Sequence, residues 1–241
     1  MDRLYIVMPA YNEAENIEEA IKEWHPVAER INTEGDECRI VIANDGSKDN
    51  TWTILENLKD KYRFLEPMNK PNSGHGATVL HLYRYAIQAG ADYVFQTDSD
   101  GQTRPEEFTQ MWENRGKSDF HIGTRGGRQD GASRVFVTKT LKLVVRIMFG
   151  IWVKDANTPF RLMKAETLAE IMKLVPEDFF LANVAISAVA VKRNISITWY
   201  PITFRPRQGG VNSINMKRII KIGWKALGDF RKISQRMQGL F

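Results

Sequence analysis

The sequence predicts an α/β protein with a mostly parallel β-sheet that carries helices on both faces. The first 125 residues alternate short apolar runs with longer segments whose apolar residues recur every three or four positions. The short runs are typical of strands and the longer spacing is typical of helices. Because the strand-like runs are apolar throughout, each strand is expected to be buried on both faces, as in parallel sheets.

The strands and helices of the first half follow each other regularly. Strands are predicted over residues 4–9, 39–44, near 64–65, 92–97 and 119–124. The first helix is indicated by apolar residues at helical spacing, namely Ile17, Ile21, Trp24, Ala28 and Ile31. Two further helices are predicted, one after a possible cap at Asp49 or Asn50 and one through Leu80.

The second half has a different pattern. Residues 133–153 predict an amphipathic helix, 181–193 an apolar helix and 196–204 a strand. The last residues, 214–241, predict a basic amphipathic helix that is suited either to a membrane surface or to packing on the protein. We therefore expect one domain over residues 1–213 and an appended C-terminal helix.

Four loops rich in small, acidic or amide-bearing residues follow the predicted strands. Their sequences are PAYNEAEN, NDGSKDN, NSGHG and DSDGQ. In open α/β sheets, ligands bind outside the carboxyl ends of the strands. The four loops are therefore expected to form one ligand site at one edge of the sheet.

The loop after the fourth predicted strand carries oxygen ligands for a metal. Asp98 and Asp100 are one residue apart, and Gln102 adds a neutral amide oxygen. Mg²⁺ and Mn²⁺ prefer oxygen ligands, and Mg²⁺ is often held by one or two carboxylates together with substrate phosphates. The alternative is an acidic turn between a strand and a helix, since Asp, Ser and Gly are ordinary turn residues. Position beside three similar loops favours the metal site.

The other loops contain candidate contacts for a nucleotide. Tyr11 is suited to stacking on a base, Glu13 to accepting from a hydroxyl, and Asp45 to accepting from a base. Gly74 allows the backbone to approach a ligand closely. The alternatives are a helix N-terminus for Glu13 and a simple turn for Asp45. His75 is expected to be structural.

Several arginines in or beside predicted loops are candidates for binding phosphate, because a guanidinium can bind a phosphate through two hydrogen bonds. The stronger candidates are Arg125, Arg205 and Arg207, and the others are Arg134 and Arg161.

Composition sets limits on the whole chain. Its 241 residues carry a net charge of +5, which favours anionic partners. The single cysteine, Cys38, allows no intramolecular disulfide and favours a reducing cytoplasm. The first residues do not resemble a signal peptide, and no apolar run reaches the roughly 18 residues of a spanning helix. A cytoplasmic protein is expected, with the inner membrane face as a possible site of attachment.

Taken together, the motifs resemble those of family 2 glycosyltransferases with the GT-A fold. The resemblance is to the branch of dolichyl-phosphate mannose synthases and bacterial polyprenyl-phosphate glycosyltransferases. The motifs run in the family's order from residue 4 to about 213, so the resemblance covers most of the chain. The matching stretches are VMPAYNEAENI, VIANDGSKDNT, NSGHGAT, DSDGQTRPEEF, IGTR, VKDANTPFRLMKAETL and RPRQGGVNS.

The resemblance implies roles for individual residues. The implied nucleotide contacts are Pro9, Ala10, Tyr11, Glu13, Asp45, Gly74 and Asp98. Asp98, Asp100 and Gln102 would bind Mg²⁺ or Mn²⁺. The implied catalytic residues are Asp100, Asp155, Arg125 and Arg207, of which the two arginines would hold phosphates. The residues assigned to an acceptor phosphate are Arg134, Arg161, Arg205, Asn212 and Ser213.

The chain departs from the family pattern at three points. Asn44 stands where the family often has an acid, and Pro159 stands where some relatives have an aspartate proposed as the base. Asn212–Ser213 replaces the usual Ser-Lys. These differences leave the general base and the acceptor contacts open.

The expected reaction is an inverting transfer from a nucleotide-diphosphate sugar, GDP-mannose or a UDP-hexose, to a polyprenyl phosphate. The alternative acceptor is a hydroxyl of a growing cell-surface polysaccharide, with Asp155 as the base. A nucleotidyltransferase is disfavoured because the first loop is acidic and lacks glycine. A non-enzymatic nucleic-acid-binding protein is disfavoured because the predicted loops are acidic, so no nucleic acid partner is expected. The sequence leaves the oligomeric state open.

Overall fold

The computed structural model describes residues 1–125, 142–205 and 228–237. Within them, seven strands form one sheet. The strands are β1 (Arg3–Ala10), β2 (Glu37–Asp45), β3 (Leu65–Lys70), β4 (Tyr93–Gln96), β5 (Phe120–Arg125), β6 (Arg161–Lys164) and β7 (Ile197–Ile202).

Helices cover both faces of this sheet. The complete helices are α1 (Ile17–Thr33), α2 (Thr51–Lys59), α3 (His75–Gln88), α4 (Pro105–Glu113), α6 (Ala165–Met172) and α7 (Ala182–Lys192). Residues 142–149 (α5) and 228–237 (α8) are also helical, and Arg115–Lys117 form a short 3-10 turn. None of the helices within the described residues is both long and apolar enough to cross a membrane.

The strand order is β3-β2-β1-β4-β6-β5-β7. β1 pairs in parallel with β2 and β4, β2 with β3, and β5 with β7. β6 is antiparallel to both of its neighbours, β4 and β5. The predicted mostly parallel sheet is confirmed. Strand β6 and helix α6 were not predicted from the sequence.

In this topology, one end of each of the seven strands lies at the same edge of the sheet. The carboxyl ends of β1 to β5 and β7 lie there, together with the amino end of the antiparallel β6. The four loops predicted to meet do follow strands that end at this edge. The structure adds three more segments to it: Arg125, residues 155–160 and residues 203–205.

Both faces of the central strands are buried, as the continuous apolar runs predicted. Along β1, Leu4, Ile6 and Met8 contribute to one apolar cluster, while Val7 contributes to the cluster on the other face. The first cluster is centred on Trp24 of α1, whose ring lies 5.2 Å from that of Phe95. Aromatic side chains bury large areas, so these two clusters fix the sheet between its helical layers.

The predicted helix over residues 133–153 is wrong at its C-terminal end. Helix α5 stops at residue 149, and Gly150 has a φ of 69°, which ends the helix in the left-handed region that glycine adopts easily. Residues 150–153 are not helical. The part from 133 to 141 lies outside the described residues. The predicted helix at 181–193 and strand at 196–204 are confirmed by α7 and β7.

Most of the predicted C-terminal helix, 214–241, lies outside the described residues. The described part, α8, buries Phe230, Ile233 and Met237. The ring of Phe230 lies 5.5 Å from Phe149 and 5.1 Å from Phe179, both with edge-to-face geometry. The apolar side of α8 is therefore occupied by the protein's own core, and this part packs on the main domain.

Candidate active site

The loop after β4 is held firmly from its two ends. The backbone N–H of Thr97 donates to the carbonyl of Val7, and the Thr97 and Thr103 hydroxyls are 2.7 Å apart. Between them, the hydroxyl of Ser99 donates to the carbonyl of Pro9 over 2.9 Å. Ser99 is buried, whereas its neighbours Asp98 and Asp100 are half-buried. The serine between the two aspartates thus anchors the loop to β1.

Gln102 connects this loop to the segment that follows β7. Its side-chain nitrogen donates to the carbonyl of Arg205 over 3.0 Å, and the Arg205 N–H donates to the Gln102 carbonyl over 2.8 Å. The Gln102 N–H donates to a carboxylate oxygen of Asp100. Since the amide nitrogen is used in this contact, a cation would be bound through the amide oxygen.

The residues of this loop fit a cation that is shared with a substrate. Within the described parts of the chain, no group of three or more His, Cys, Asp or Glu side chains is arranged to hold a metal by itself. Two carboxylates and one amide oxygen are a typical protein contribution to a Mg²⁺ site completed by substrate phosphates and water. The donor set of Asp98, Asp100 and Gln102 is consistent with that kind of site.

The loops after β1 and β2 are joined by hydrogen bonds. The Asn12 N–H donates to the Ser47 hydroxyl, and the Lys48 N–H donates to the Asn12 side chain. The Glu13 N–H donates to the Thr51 hydroxyl over 2.9 Å. Asn12 has a φ of 55°, a left-handed conformation that Asn tolerates better than most residues. The two loops thus form one rigid wall of the site.

The predicted nucleotide contacts in the first loop differ in access. Pro9 and Ala10 are buried at the end of β1, so they can offer only backbone to a ligand. Tyr11 is exposed, at 37% of its surface, and its ring is open for stacking. Glu13 is buried and accepts from the Asn16 side chain over 2.8 Å. Glu13 therefore also organises the start of α1.

Asp45 has hydrogen-bond partners within the protein. Its carboxylate is buried and accepts from Lys70 Nζ and from the N–H groups of Ser73 and Gly74. Burial raises the pKa of Asp45, but the hydrogen bonds from Lys70, Ser73 and Thr78 outweigh this and hold the pKa below its usual value. Both oxygens thus help to fix the loop after β3, and the contact with a base stays a prediction.

Gly74, at the end of the loop after β3, and Gly76, in α3, are glycines for different structural reasons. Gly74 has a φ of 89° and directs its N–H at Asp45. Gly76 lies inside α3, where a Cβ atom would come within 2.2 Å of the carbonyl oxygen of Phe180. Gly76 therefore permits close packing. His75, at the start of α3, is exposed and within electrostatic reach of Asp100 and Asp45.

Arg125 and Asp155 form a bidentate pair across the edge of the sheet. Arg125 Nε and Nη2 donate to the two oxygens of Asp155, each over 2.7 Å. Both side chains are mostly buried. Arg125 also stacks over the ring of Phe204 at 5.4 Å. The structure thus brings together two of the predicted catalytic residues, but as partners of each other.

Arg161, one of the predicted acceptor contacts, lies in the protein interior. Its side chain is fully buried, and it donates to the carbonyls of Thr158, Ala156 and Asn183 and to the hydroxyl of Ser187. This placement argues against contact with an acceptor phosphate.

The charge of Arg161 nevertheless lies close behind the site. Burial lowers the pKa of its guanidinium from the usual value, and Tyr83, Asp155 and Asp98 act in the opposite direction. Asp98 and Asp155 therefore share one electrostatic neighbourhood around Arg161, the first residue of β6.

Arg205 is also placed away from its predicted role. Its guanidinium donates to Glu23 of α1 over 2.6 Å, and the charges of Glu106 and Glu107 also act on it. These carboxylates, with Glu23 acting most strongly, raise the pKa of Arg205 and make its surroundings unfavourable for a phosphate. The remaining predicted contacts lie outside the described residues; they are Arg134, Arg207, Asn212 and Ser213.

Two residues at this edge were not singled out from the sequence. Lys70 ends β3 and reaches Asp45, Ser73 and the Pro71 carbonyl. It was missed because the third strand was expected only near residues 64–65, whereas β3 continues to Lys70. Ser99 was treated only as a turn residue, although its position between two aspartates in a loop that follows a buried strand indicates an inward side chain.

The model of the family described as "Glycosyl transferase family 2" matches residues 5–170. The chain belongs to this family. The matched range begins within β1 and extends past β6, so it includes the loops that form the candidate site up to Asp155. It confirms the family resemblance carried by the sequence motifs.

Relatives within family 2 include enzymes of the polyprenyl-phosphate branch. The polyprenol monophosphomannose synthase of Mycolicibacterium smegmatis is 25% identical over 228 residues, which cover 90% of this chain and 83% of that protein. The undecaprenyl-phosphate mannosyltransferase of Micrococcus luteus is 24% identical over 222 residues, 88% of each chain.

Solved structures support the fold. Glucosyl-3-phosphoglycerate synthase from Mycobacterium tuberculosis, in complex with Mn²⁺, UDP and glucosyl-3-phosphoglycerate, matches with a TM-score of 0.67 at 15% sequence identity. The match covers 97% of this chain and 80% of that one. The predicted GT-A architecture is thus confirmed for a family 2 glycosyltransferase.

Proposed function

We propose that this family 2 glycosyltransferase transfers a hexose, with inversion, from GDP-mannose or a UDP-hexose to a polyprenyl phosphate. The carrying observation is that Asp98, Asp100 and Gln102 stand at the same sheet edge as the Tyr11–Glu13 loop. A nucleotide-diphosphate sugar requires one group of residues that binds its diphosphate and a neighbouring group that binds its nucleoside. The named activities of the M. smegmatis and M. luteus relatives support a lipid-phosphate acceptor.

The donor site would be divided between these two groups of residues. Tyr11 would stack on the base, and the backbone at Pro9 and Ala10 would line the nucleoside. Asp98, Asp100 and Gln102 would hold Mg²⁺ or Mn²⁺, which when bound neutralises charge on the leaving diphosphate. The Mn²⁺–UDP complex of a structural neighbour supports a divalent ion here.

The pairing of Asp155 supports a phosphate acceptor over a sugar hydroxyl. Both Asp155 oxygens accept short hydrogen bonds from Arg125. Hydrogen bonds to the charged form weaken a carboxylate as a base. A hydroxyl acceptor needs a base, whereas a phosphate monoester, with a second pKa of about 6, is already anionic near neutral pH. Asp155 therefore orients Arg125, and Arg125 stabilises negative charge at the reacting centre.

The donor is tested by thermal shift with the UDP, GDP, CDP and dTDP sugars, each with and without Mn²⁺. We expect one nucleotide to raise the melting temperature, with a larger shift when Mn²⁺ is present. A shift by no nucleotide under any metal condition would contradict the donor assignment. A shift that is unaffected by Mn²⁺ would contradict the metal assignment alone.

The acceptor is tested by transfer from the stabilising sugar nucleotide to a short, water-soluble polyprenyl phosphate. The matched control is the corresponding polyprenol without phosphate. We expect transfer to the phosphate and none to the alcohol. Transfer to a polysaccharide hydroxyl, with none to the lipid phosphate, would establish the alternative acceptor. We place the reaction at the cytoplasmic face of the membrane that contains the lipid.

A further inference from the structure

Helix α5 has apolar residues on two sides, and only one of them faces the protein. Val145 and Phe149 are buried in the core, where Phe149 packs against Phe230 of α8. On the outer side, Leu143 is 54% exposed and Ile147 is 71% exposed. A surface helix is usually polar on its outer side, so a second apolar stripe indicates a second partner.

The residues after α5 extend this outer stripe. Trp152 is 63% exposed, and the guanidinium of Arg146 lies over its ring at 4.5 Å. Lys142 and Lys154 stand at the two ends of the same segment, and Lys154 is exposed. From 142 to 154 the segment contains no Asp or Glu. It therefore combines exposed aliphatic side chains, an exposed tryptophan and only positive charge.

We propose that residues 142–154 form the surface by which this enzyme docks on an anionic lipid bilayer. Interfacial segments combine Leu, Ile or Trp side chains that enter the lipid with Lys and Arg that attract anionic head groups. Tryptophan prefers the boundary between head groups and acyl chains. The chemistry of this surface, which we term the docking segment, matches each requirement.

The place of the docking segment gives it a role in the reaction. Asp155 follows Lys154 directly and is paired with Arg125 at the site edge. A segment seated in the head-group layer would hold that edge next to the phosphates of membrane lipids. This step rests on the proposed function, since only a lipid-borne acceptor makes the short distance useful.

The described part of helix α8 does not offer an equivalent surface. Its apolar residues Phe230, Ile233 and Met237 are buried, and between residues 228 and 237 its exposed side carries Arg231 and Lys232 but no large apolar side chain. Charge without insertion gives weak, salt-sensitive attraction. Among the described residues, the docking segment is thus the better membrane surface, although the sequence pattern favoured the C-terminal helix.

A second copy of the chain is a less suitable partner for the docking segment. In a two-fold dimer each patch meets itself, so Lys142, Arg146 and Lys154 would face an identical set of cations. An anionic bilayer instead offers opposite charge and an apolar interior. The chemistry of the segment therefore favours the bilayer.

The test is co-sedimentation of the full chain with vesicles of phosphatidylcholine, with and without phosphatidylglycerol. The wild type should bind the anionic vesicles. The triple variant Leu143→Ser, Ile147→Ser, Trp152→Ser should bind at least about tenfold more weakly, since it loses its inserting side chains. The variant Lys142→Gln, Arg146→Gln should lose its preference for phosphatidylglycerol. The matched control, Arg231→Gln with Lys232→Gln on α8, removes the same charge and should bind normally.

Three results would overturn the proposal. One is a folded wild type that binds no vesicles, and another is a triple variant that binds as the wild type does. The third is a dimeric wild type that becomes monomeric in the triple variant without any change in vesicle binding. Because the changed residues are exposed, apart from the half-buried Lys142, circular dichroism and the melting temperature should stay close to those of the wild type.

A second measurement separates this proposal from the proposed function. The triple variant should transfer sugar normally to a short, water-soluble polyprenyl phosphate but at least about tenfold more slowly to a long one in vesicles. Equal loss on both substrates would contradict docking as the cause. If the wild type uses neither lipid phosphate, the proposed function fails, while vesicle binding still decides whether the segment docks.

Discussion

Asp100 is the side chain on which the proposed metal site depends most. It is half-buried in a loop fixed by Ser99 and Gln102, so its position is set before any ligand arrives. Asp100→Ala should lower the turnover number by about 100-fold or more, because charge on the leaving group loses its stabilisation. Glu106→Ala, an exposed acid in the next helix, is the matched control. Near-normal turnover of Asp100→Ala would rule out the metal assignment.

Variants of Arg161 distinguish a structural role of this side chain from a role in binding the acceptor. Its buried guanidinium binds three backbone carbonyls and one hydroxyl, so Arg161→Met leaves these acceptors without a donor. We expect the free energy of unfolding in urea to fall by about 3–5 kcal/mol. Arg161→Lys should restore only part of it, since an ammonium cannot span the same acceptors. If Arg161 instead bound the acceptor, the variants would raise the KM and leave stability unchanged.

Some site residues could be predicted from the sequence more readily than others. The difference depends on whether the contacts of each side chain are local or join distant parts of the chain. The spacing of Asp98, Asp100 and Gln102 is local, so it can be read directly. The contacts of Asp45 with Lys70 and of Arg205 with Glu23 join residues far apart in the chain. A charged residue in a loop looks available until the partner that neutralises it is known.

At the scale of elements, the end of β5 and the segment before β6 are joined by Arg125 and Asp155. We expect Asp155→Asn to keep transfer to a polyprenyl phosphate within about tenfold of the wild type, because that nucleophile is anionic without a base. Loss of a true general base costs about 100- to 10,000-fold. Steady-state kinetics distinguish the two. With the short, water-soluble polyprenyl phosphate as acceptor, Leu143→Ser, a change outside the site, is the control. A loss beyond 100-fold would restore Asp155 as the base.

The packing of α3 gives a second prediction at this scale. A Cβ atom at Gly76 would overlap the carbonyl oxygens of Phe179 and Phe180. Gly76→Ala should therefore lower the free energy of unfolding by about 1–3 kcal/mol, although alanine favours helices. Gly116→Ala is the matched control, since nothing lies within 4 Å of its Cβ position and its φ is not positive. Equal stability of both variants would contradict the close packing of α3.

Most elements were predictable because their apolar periodicity is local. Strand β6 was not, since its four residues follow a loop directly and lead straight into α6. Such a short run has no periodicity of its own. It becomes a strand because β4 and β5 offer their edges on either side. The end of α5 was missed because apolar residues continue to Val153 although the helix stops before Gly150.

At the scale of the whole molecule, α8 ties the C-terminal part of the chain to the docking segment. Phe230 packs on Phe149, the inner side of α5, while Leu143 and Ile147 face outward from the same helix. The core on one side of α5 therefore sets the position of the surface on the other. A helix whose only role was to bind the membrane would not need to pack against Phe230 of α8.

Phe230→Ala tests this connection across the molecule. The side chain is fully buried between Phe149 and Phe179, so we expect the free energy of unfolding to fall by about 3–5 kcal/mol. Because α5 then loses packing on its inner side, vesicle binding should also weaken at temperatures where the protein stays folded. Arg231→Ala, the exposed neighbour, should change neither quantity. If Phe230→Ala lowered vesicle binding without any loss of stability, α8 itself would be the part of the chain that enters the lipid.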